Sequence, residues 1–575
     1  MAEHDLVVRG GTVVDGTGAA PVSADVAISD GVITEVGRVD GTGRRELQAD
    51  GLLVTPGIVD IHCHYDGQAT WDNRLQPSSW HGVTTVVMSN CGVGFAPVKN
   101  GDEDRLIELM EGVEDIPGAA LHEGLSWEWR SFAEYLDAVD SIPHDIDIGA
   151  QLPHGALRLH VMGERGAARE AATPDDIIRM ADLAAEAMEA GALGFSTSRT
   201  MNHRSSKGEL TPSLTAEADE LVGIAMAMGK INKGVLQVVS DFRDVDYEFG
   251  IFKRMTEESG RPISMSLAQS PIAPDHFRGI LDRISAAQAE GLQMRAQVAA
   301  RGIGILLGLQ CTLNPFMVNP VYKEIADLSL DERVKAMRDP SFRERLLDAE
   351  SDEMLRERLG GNLIKRYGFM FEISDPPNYE PNPADTLEAR AARAGVDVNE
   401  FVYDLLLGDD GKAMTYVPFA NYVNGSLSAV GEMLAHPYTV PGLSDGGAHV
   451  GTICDGSFPT TLLRMWGRDR AEGRLPIEHL IQRHCQGTAE TVGLLDRGVL
   501  KPGYRADLNL IDFGRLQERR PEMHYDLPAG GKRLLQRADG YVATMVAGQV
   551  TYEDGQATDA LPGRLVRGAT PTPKI

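Results

Sequence analysis

Residues 57–67, GIVDIHCHYDG, form an apolar run that ends in two histidines, His62 and His64, with one residue between them. Side chains of a β-strand alternate between its two faces, so a strand here would place both imidazoles on the same face. Imidazole is a common ligand of zinc and similar metals. An isolated histidine pair is more often solvated or hydrogen-bonded within the protein, so the rest of the sequence must decide.

The stretch 57–67 opens a long region in which strand-like and helix-like segments alternate. Alternation of this kind predicts parallel βα units, and about eight of them predict a (β/α)8 TIM barrel. Two of the predicted helices are Pro174–Ala190 and 216–228, the second with Thr215 as its N-cap. The predicted strands are 58–62, 84–89, 146–152, 193–196, 235–239, 263–267, 294–298 and 439–443.

Both ends of the chain consist of short alternating segments separated by Gly and Asp turns, which is typical of strands. We predict that residues 1–56 and 486–575 form one composite β-sandwich domain, and that residues 57–485 form the catalytic barrel. A charged, helix-rich insertion at about 305–412 is either a lid or a structural appendage. The tail after Pro562 is expected to be extended or disordered.

Composition limits the classes of function. The chain of 575 residues has 84 acidic and 55 basic residues, a net charge of −29, which argues against nucleic acid or an anionic membrane as partner. Its five cysteines include no CxxC pair, so a disulfide framework is not expected. Neither a signal peptide nor an apolar run of membrane-spanning length is evident, and we therefore expect a cytoplasmic protein.

Two further polar residues follow apolar runs that predict barrel strands. Cys91 follows TTVVMSN, and Asp445 follows TVPGLS. Active sites of barrels lie at the carboxyl ends of the strands, so both side chains are expected beside His62 and His64. A thiolate there could ligate zinc, and a carboxylate could ligate metal and carry a proton. The alternatives are a buried apolar cysteine and a turn aspartate.

Several motifs occur together in one order along almost the whole chain: DLVVRGGTVVDGTG, PGIVDIHCH, SNCG, SDGG and RGVLKPGYRADLNLIDF. In these the chain resembles the amidohydrolase superfamily and, within it, the N-acyl-D-amino-acid deacylase (D-aminoacylase) family. The resemblance implies a metal-dependent TIM barrel with a small β-sandwich built from both termini, and hydrolysis of an amide C–N bond by metal-activated water. It implies that His62, His64 and Cys91 bind metal and that Asp445 is the catalytic acid and base.

The sequence departs from that family at two later strands. The family places two further histidine ligands there, whereas residues 234–242 and 261–270 contain none. We therefore expect one divalent metal per chain, zinc by preference, held by His62, His64 and Asp445. Cys91 would be a fourth ligand or a near neighbour.

The substrate side departs as well, because no arginine occurs between Asp445 and Arg464, where the family carries its carboxylate-binding arginine. This favours a neutral or bulkier amide. Three hypotheses stay open: an N-acyl-D-amino-acid deacylase-like enzyme, a hydrolase of a neutral, cyclic or xenobiotic amide or carbamate, and a non-enzymatic scaffold. The expected partner is a small-molecule amide, and homo-oligomerisation is left open. The candidate substrate-binding residues, each with a structural alternative, are Arg199, His203, Tyr379, His449 and His154.

Overall fold

A computed structural model describes residues 2–351 and 360–574. No helix in these residues is long and apolar enough to cross a membrane. In chain order the strands are β1 (His4–Val13), β2 (Val22–Ser29), β3 (Val32–Gly37), β4 (Gly43–Gln48), β5 (Leu53–Pro56), β6 (Ile58–Asp60), β7 (Val83–Met88), β8 (Asp147–Pro153), β9 (Gly194–Arg199), β10 (Val235–Ser240), β11 (Ile263–Leu267), β12 (Met294–Val298), β13 (Ile303–Gly308), β14 (Phe371–Glu372), β15 (Met414–Ala420), β16 (Thr439–Pro441), β17 (Leu508–Ile511), β18 (Gln517–Glu518), β19 (Glu522–Leu527), β20 (Gly531–Leu535), β21 (Ala538–Asp539), β22 (Tyr541–Val546), β23 (Gln549–Glu553) and β24 (Gln556–Ala557).

The helices surround the barrel strands and fill the insertion. In chain order they are α1 (Glu103–Glu114), α2 (Gly118–Gly124), α3 (Phe132–Asp140), α4 (His154–Met162), α5 (Glu164–Ala167), α6 (Pro174–Ala190), α7 (Ala218–Lys230), α8 (Val245–Ser259), α9 (His276–Ala289), α10 (Pro320–Lys323), α11 (Leu330–Met337), α12 (Pro340–Asp348), α13 (Leu387–Ala394), α14 (Val398–Leu406), α15 (Gly408–Gly411), α16 (Ser428–Ala435), α17 (Phe458–Thr461), α18 (Ile477–Gln482) and α19 (Thr488–Thr491). Two π-helical segments, Leu462–Asp469 and Arg483–Gly487, lie between the last three of them.

Eight parallel strands form the central sheet in the order β16-β12-β11-β10-β9-β8-β7-β6. The two end strands meet through the residues that follow them, where Cys63 and Gly446 form a parallel bridge. There the His64 amide donates to the Gly446 carbonyl at 2.8 Å, and the Asp445 amide donates to the His62 carbonyl at 3.0 Å. The sheet therefore closes into the predicted TIM barrel.

The strand that was expected to carry the histidine pair is shorter than predicted. β6 ends at Asp60, and His62 and His64 lie in the segment beyond it. At its end the Asp60 carboxylate accepts hydrogen bonds from the His62 amide at 3.2 Å and from the hydroxyl of Ser444, a residue distant in the chain. The bridge to Gly446, rather than strand alternation in β6, positions the pair.

The two predicted helices have different outcomes. Pro174–Ala190 is helical over those residues, with Thr173 and Asp176 forming a capping box at its start. The second helix begins at Ala218, with Glu217 as its N-cap, so the prediction of Thr215 as the cap was wrong. The Thr215 hydroxyl instead donates to the Arg169 carbonyl at 3.1 Å, which commits it to a neighbouring loop.

Strands from both ends of the chain share one nine-stranded sheet, as the composite sandwich requires. Its order is β24-β23-β22-β17-β5-β1-β2-β3, with β4 paired to β1. Inward-facing apolar residues such as Val8, Val26, Leu508 and Met545 form its core. We propose the predicted division, with residues 1–56 and 486–575 as one domain and 57–485 as the other.

The insertion lies between β12 and β16 and has an apolar core of its own, which includes Leu307, Val402 and Tyr403. It contains helices, as predicted, but also the antiparallel sheet β13-β15-β14, which the sequence analysis missed. β13 and β15 pair although more than a hundred residues separate them in the sequence, so no local pattern predicts the pairing. Of the helix-rich segment 328–360, residues 352–359 lie outside the described residues.

The tail after Pro562 is extended, which was one of the two predicted alternatives. The Gly563 amide donates to the His144 carbonyl at 2.8 Å, and the Val566 amide donates to the Ile148 carbonyl at 2.7 Å. These bonds fix the tail beside β8 of the barrel.

Candidate metal centre

Three predicted metal ligands converge past the ends of β6 and β7. The ligand atoms of His62, His64 and Cys91 lie within 4.8 Å of one another, and His62 Nε2 is 3.2 Å from Cys91 Sγ. Asp445 completes the arrangement, with its Oδ1 atom 3.5 Å from His62 Nε2 and 3.8 Å from His64 Nε2. The structure thus brings together all four residues predicted to hold the metal.

Two of these residues take backbone conformations that are unusual outside glycine. Cys91 has φ of 56° and Asp445 has φ of 47°, both in the left-handed region. Such conformations cost free energy and recur at functional sites, where the surroundings hold them. Here Gln237 Oε1 accepts a hydrogen bond from the Cys91 amide at 3.1 Å, and the His62 carbonyl accepts one from the Asp445 amide.

The outer nitrogen of His62 fixes its tautomer. His62 Nδ1 lies 2.7 Å from Gln297 Oε1, which can only accept, while Gln297 Nε2 donates to Ser264 Oγ at 2.9 Å. The proton of His62 therefore stays on Nδ1, and the Nε2 lone pair is free for a metal. Burial lowers the pKa of His62 to about 4, so the ring is neutral, as ligation requires.

Glu114 is a component of the site that the sequence analysis missed. It is the last residue of α1 and almost wholly buried. Its Oε1 atom lies 3.3 Å from His64 Nδ1 and its Oε2 atom 3.5 Å from His449 Nε2. Glu114 can therefore accept the outer proton of His64 and leave His64 Nε2 for a metal. A glutamate at the end of a helix carries no pattern that separates it from a surface residue.

The electrostatics of the cluster suit a divalent cation. Burial raises the pKa of Asp445 to about 7, and burial together with the nearby Asp445 and Asp66 carboxylates raises the pKa of Glu114. Burial, aided by Glu114 and Asp445, also raises the pKa of the Cys91 thiol. A bound cation would favour the charged form of each group. Two neutral imidazoles, a thiol and a carboxylate form a donor set that fits zinc.

Two of the candidate substrate-binding residues lie near this cluster. His449 contacts Glu114, and burial lowers its pKa to about 3, with smaller contributions from His203 and His62. His203 Nδ1 is 3.0 Å from Ser198 Oγ, and burial lowers its pKa to about 4. Both rings are neutral, so they can accept or donate a hydrogen bond without adding charge.

The other three candidates are committed to structural partners. His154 bonds Thr197 and Glu220, each at 2.8 Å. Arg199 forms a double hydrogen bond with Glu248, at 2.7 and 2.8 Å, and donates to the Ala216 carbonyl. Tyr379 bonds Gln536, and the Arg301 guanidinium lies 3.4 Å from the centre of its ring. These contacts favour the structural alternative for His154, Arg199 and Tyr379.

The strands that lack histidine carry amide and hydroxyl groups instead. Gln237 on β10 supports Cys91, and Ser264 on β11 supports Gln297. Gln237 thus holds the backbone of Cys91, and Ser264 acts on His62 only through Gln297. Among residues 2–351 and 360–574, His62, His64 and Cys91 form the only group of three or more His, Cys, Asp or Glu side chains with metal-site spacing.

Comparison with known proteins assigns the chain. Residues 45–552 match the profile of the amidohydrolase family. The chain belongs to this family. It is 25% identical to an N-acyl-D-aspartate deacylase of Alcaligenes xylosoxydans xylosoxydans, over 98% of this chain and 95% of the relative.

Solved structures of similar proteins share the fold. A D-aminoacylase with a binuclear metal centre, described as showing one-metal activation and second-metal attenuation, matches with a TM-score of 0.65 at 23% identity. The match covers 98% of this chain and 100% of that protein. An N-acyl-D-glutamate deacylase from Bordetella bronchiseptica, complexed with zinc and a phosphonate inhibitor, has a TM-score of 0.65 at 22% identity, with 98% and 99% covered.

These relationships confirm two predictions from the sequence: the amidohydrolase assignment and the TIM barrel. The grouping of His62, His64 and Cys91 supports the predicted divalent metal. As an amidohydrolase, the protein is a hydrolase of carbon–nitrogen bonds other than peptide bonds.

Proposed function

We propose that the protein hydrolyses the amide bond of an N-acylated small molecule in the manner of the N-acyl-D-amino-acid deacylases, with one zinc ion per chain. His62, His64 and Asp445 would hold the metal, with Cys91 as the fourth ligand. The observation that carries the proposal is the convergence of these four side chains at the closing edge of the barrel.

A single metal is favoured by the chemistry of the surrounding strands. Gln237 and Ser264 stand on the two strands where further imidazoles would be needed, and both are engaged in supporting Cys91 and Gln297. Amide and hydroxyl oxygens are weaker zinc ligands than imidazole or thiolate. The one-metal activation described for a D-aminoacylase supports activity with a single ion.

The reaction would break the amide C–N bond and form a C–O bond with water. A bound zinc ion supplies Lewis acidity and lowers the pKa of its water to near 7. Asp445 would take the proton of the attacking water and deliver it to the leaving nitrogen. His449, whose Nε2 lies 3.5 Å from Glu114 Oε2, would stabilise the oxyanion.

A neutral amide is the second candidate for the substrate, and one observation favours it over an N-acyl-D-amino acid. Arg464, the first arginine after Asp445 in the chain, is bound to Glu518 at 2.6 Å and to Asp469 at 2.5 Å. Its guanidinium is therefore not free to clamp a substrate carboxylate. The retained metal ligands favour either enzyme over the scaffold hypothesis.

The role of Asp445 is tested by Asp445→Asn, assayed on N-acetyl-D-amino acids, cyclic imides and neutral anilides. Loss of the general acid and base should lower kcat about 10²–10⁴-fold, whereas the matched control Asp559→Asn, at an exposed aspartate, should leave kcat unchanged. Metal content is measured in parallel. Full activity of Asp445→Asn with its metal intact would show that Asp445 is not the proton carrier.

A further inference from the structure

Arg533 lines two neighbouring spaces, one of which lies beside Asp445. A small cavity of about 20 Å³ lies beside Asp445, and its lining includes Gln76, Asp455 and Arg533. A wider polar cleft, lined by Trp71 and Arg74 among others, shares Gln76 and Arg533 with that cavity. Arg533 therefore borders both the cleft and the cavity beside Asp445.

Two nitrogens of the Arg533 guanidinium are hydrogen-bonded, and the third has no partner among the described residues. Arg533 Nε and Nη2 donate to the two oxygens of Asp526 at 2.7 and 2.9 Å. The residue is only 5% exposed, and Nη1 is buried without a hydrogen-bond partner among the described residues. A buried donor without a partner is costly, so an acceptor that reaches it gains more than at an exposed site.

The strand that carries Arg533 is anchored on both sides of this residue. Lys532 Nζ donates to the Gln310 carbonyl at 2.7 Å, and the Leu534 amide donates to the Val450 carbonyl at 2.6 Å. Val450 belongs to the loop that follows Asp445. β20 therefore holds the guanidinium at a fixed position relative to the candidate metal centre.

The charged residues around the cleft and the cavity would repel a free carboxylate. Asp526 neutralises Arg533, and a second carboxylate, Asp72, lies 4.0 Å from Arg533 Nη2. Asp455 in turn is paired with Arg301 at 3.0 Å. The charged residues that line the cavity and the cleft are five carboxylates, Asp72, Glu123, Asp445, Asp455 and Asp526, and two guanidinium groups, Arg74 and Arg533. A neutral acceptor avoids the repulsion that a carboxylate would meet.

We propose that Arg533 is a specificity-determining residue whose Nη1 donates a hydrogen bond to a neutral carbonyl oxygen of the substrate, such as that of a carboxamide. Asp526 orients the guanidinium and neutralises its charge, so that a free carboxylate gains little attraction there. The inference rests on the proposed amide hydrolysis and names the substrate class within it, a neutral amide with a second carbonyl group.

The test is a binding measurement that needs no turnover. Two probes with a non-hydrolysable sulfonamide, N-methanesulfonyl-D-leucinamide and N-methanesulfonyl-D-leucine, differ only in carboxamide against carboxylate. Calorimetric titration of the zinc-loaded protein should show about tenfold tighter binding of the carboxamide. Equal or tighter binding of the carboxylate, or no binding of either probe, would overturn the proposal.

Two variants separate the guanidinium from its counter-charge. Arg533→Gln should weaken carboxamide binding about tenfold without changing zinc content. Asp526→Asn, which removes the neutralising charge, should shift the preference about tenfold towards the carboxylate, whereas Glu522→Gln at an exposed site of the same hairpin should not. An unchanged probe ratio in Asp526→Asn would refute the role of Asp526 and with it the proposal. Failure of the proposed function would appear separately, as a zinc-loaded protein that hydrolyses no amide.

Discussion

At the scale of single residues, the candidate metal centre includes groups that hold the four proposed ligands in place. Gln297 fixes His62, Glu114 contacts His64 and His449, and Gln237 supports Cys91. Since such supporting residues orient the ligand and set its proton, their loss weakens metal binding even though they never touch the ion.

Gln297→Leu tests this dependence. The variant removes the acceptor that keeps the proton on His62 Nδ1, so the affinity for zinc should fall about 10–100-fold while the fold is retained. The measurement is competition with a zinc-binding dye. Gln293→Leu, at an exposed glutamine just before β12, serves as the control and should bind zinc like the wild type. Equal affinities in the two variants would contradict the tautomer argument.

The protonation states of the ligands predict how zinc binding depends on pH. Asp445 has a pKa of about 7 and Cys91 a raised pKa, so both bind protons over the lower part of the neutral range. Zinc must displace those protons. The affinity should therefore rise from pH 6 to pH 8, with proton release that calorimetry detects in buffers of different ionisation enthalpy. Affinity that is independent of pH would mean that neither group ligates the ion.

At the scale of secondary structure elements, the start of α6 offers a clear test. The Thr173 hydroxyl accepts from the Asp176 amide at 3.2 Å, and Asp176 Oδ2 accepts from the Thr173 amide at 2.8 Å. Thr173→Ala should lower the free energy of unfolding by about 1 kcal/mol. Thr215→Ala, at a threonine that caps no helix, should cost less than about 0.5 kcal/mol. Urea unfolding compares them, and equal losses would contradict the assignment of the caps.

Elements with a strong local pattern were predictable from the sequence. The barrel strands follow apolar runs such as β7, which is buried throughout, and α6 follows its capping residues and apolar period. Features that depend on long-range contacts were not predictable. β13 pairs with β15 across the insertion, and Asp60 at the end of β6 is bound by Ser444, which follows the last barrel strand, β16.

In the candidate site, too, residues that follow a local pattern were predictable and residues brought in by long-range contacts were not. His62, His64, Cys91 and Asp445 stand just beyond apolar runs, so their convergence was predicted. Glu114 comes from a helix end, and only the closed barrel brings it to His64. Gln297 is a buried polar residue within the predicted strand 294–298. Its position in that strand was the one feature of the sequence that could have pointed to it.

At the scale of the whole molecule, a buried ion cluster joins the barrel to the terminal sheet. Arg497 Nη1 lies 2.7 Å from Asp147 Oδ2 on β8, and Arg505 Nη2 lies 2.8 Å from Asp147 Oδ1. Asp507, just before β17, is buried beside them. The partners are far apart in the chain, so the cluster connects the two proposed domains.

Arg497→Met should therefore destabilise the molecule strongly. The substitution removes the Arg497 charge from the buried carboxylates of Asp147 and Asp507, which should lower the free energy of unfolding by about 3–5 kcal/mol. Arg515→Met, at an exposed position, should stay within about 0.5 kcal/mol of the wild type. Chemical unfolding measures both, and a loss below about 1 kcal/mol in Arg497→Met would show that the cluster does not join the domains.

The proposed reaction requires one metal ion per chain. The most direct measurement is to strip the protein with a chelator, titrate zinc back, and follow bound zinc and hydrolysis of the amide panel together. We expect no activity without metal, and activity that reaches its maximum at one zinc per chain. Full activity in the stripped protein, or activity that requires a second zinc, would contradict the account.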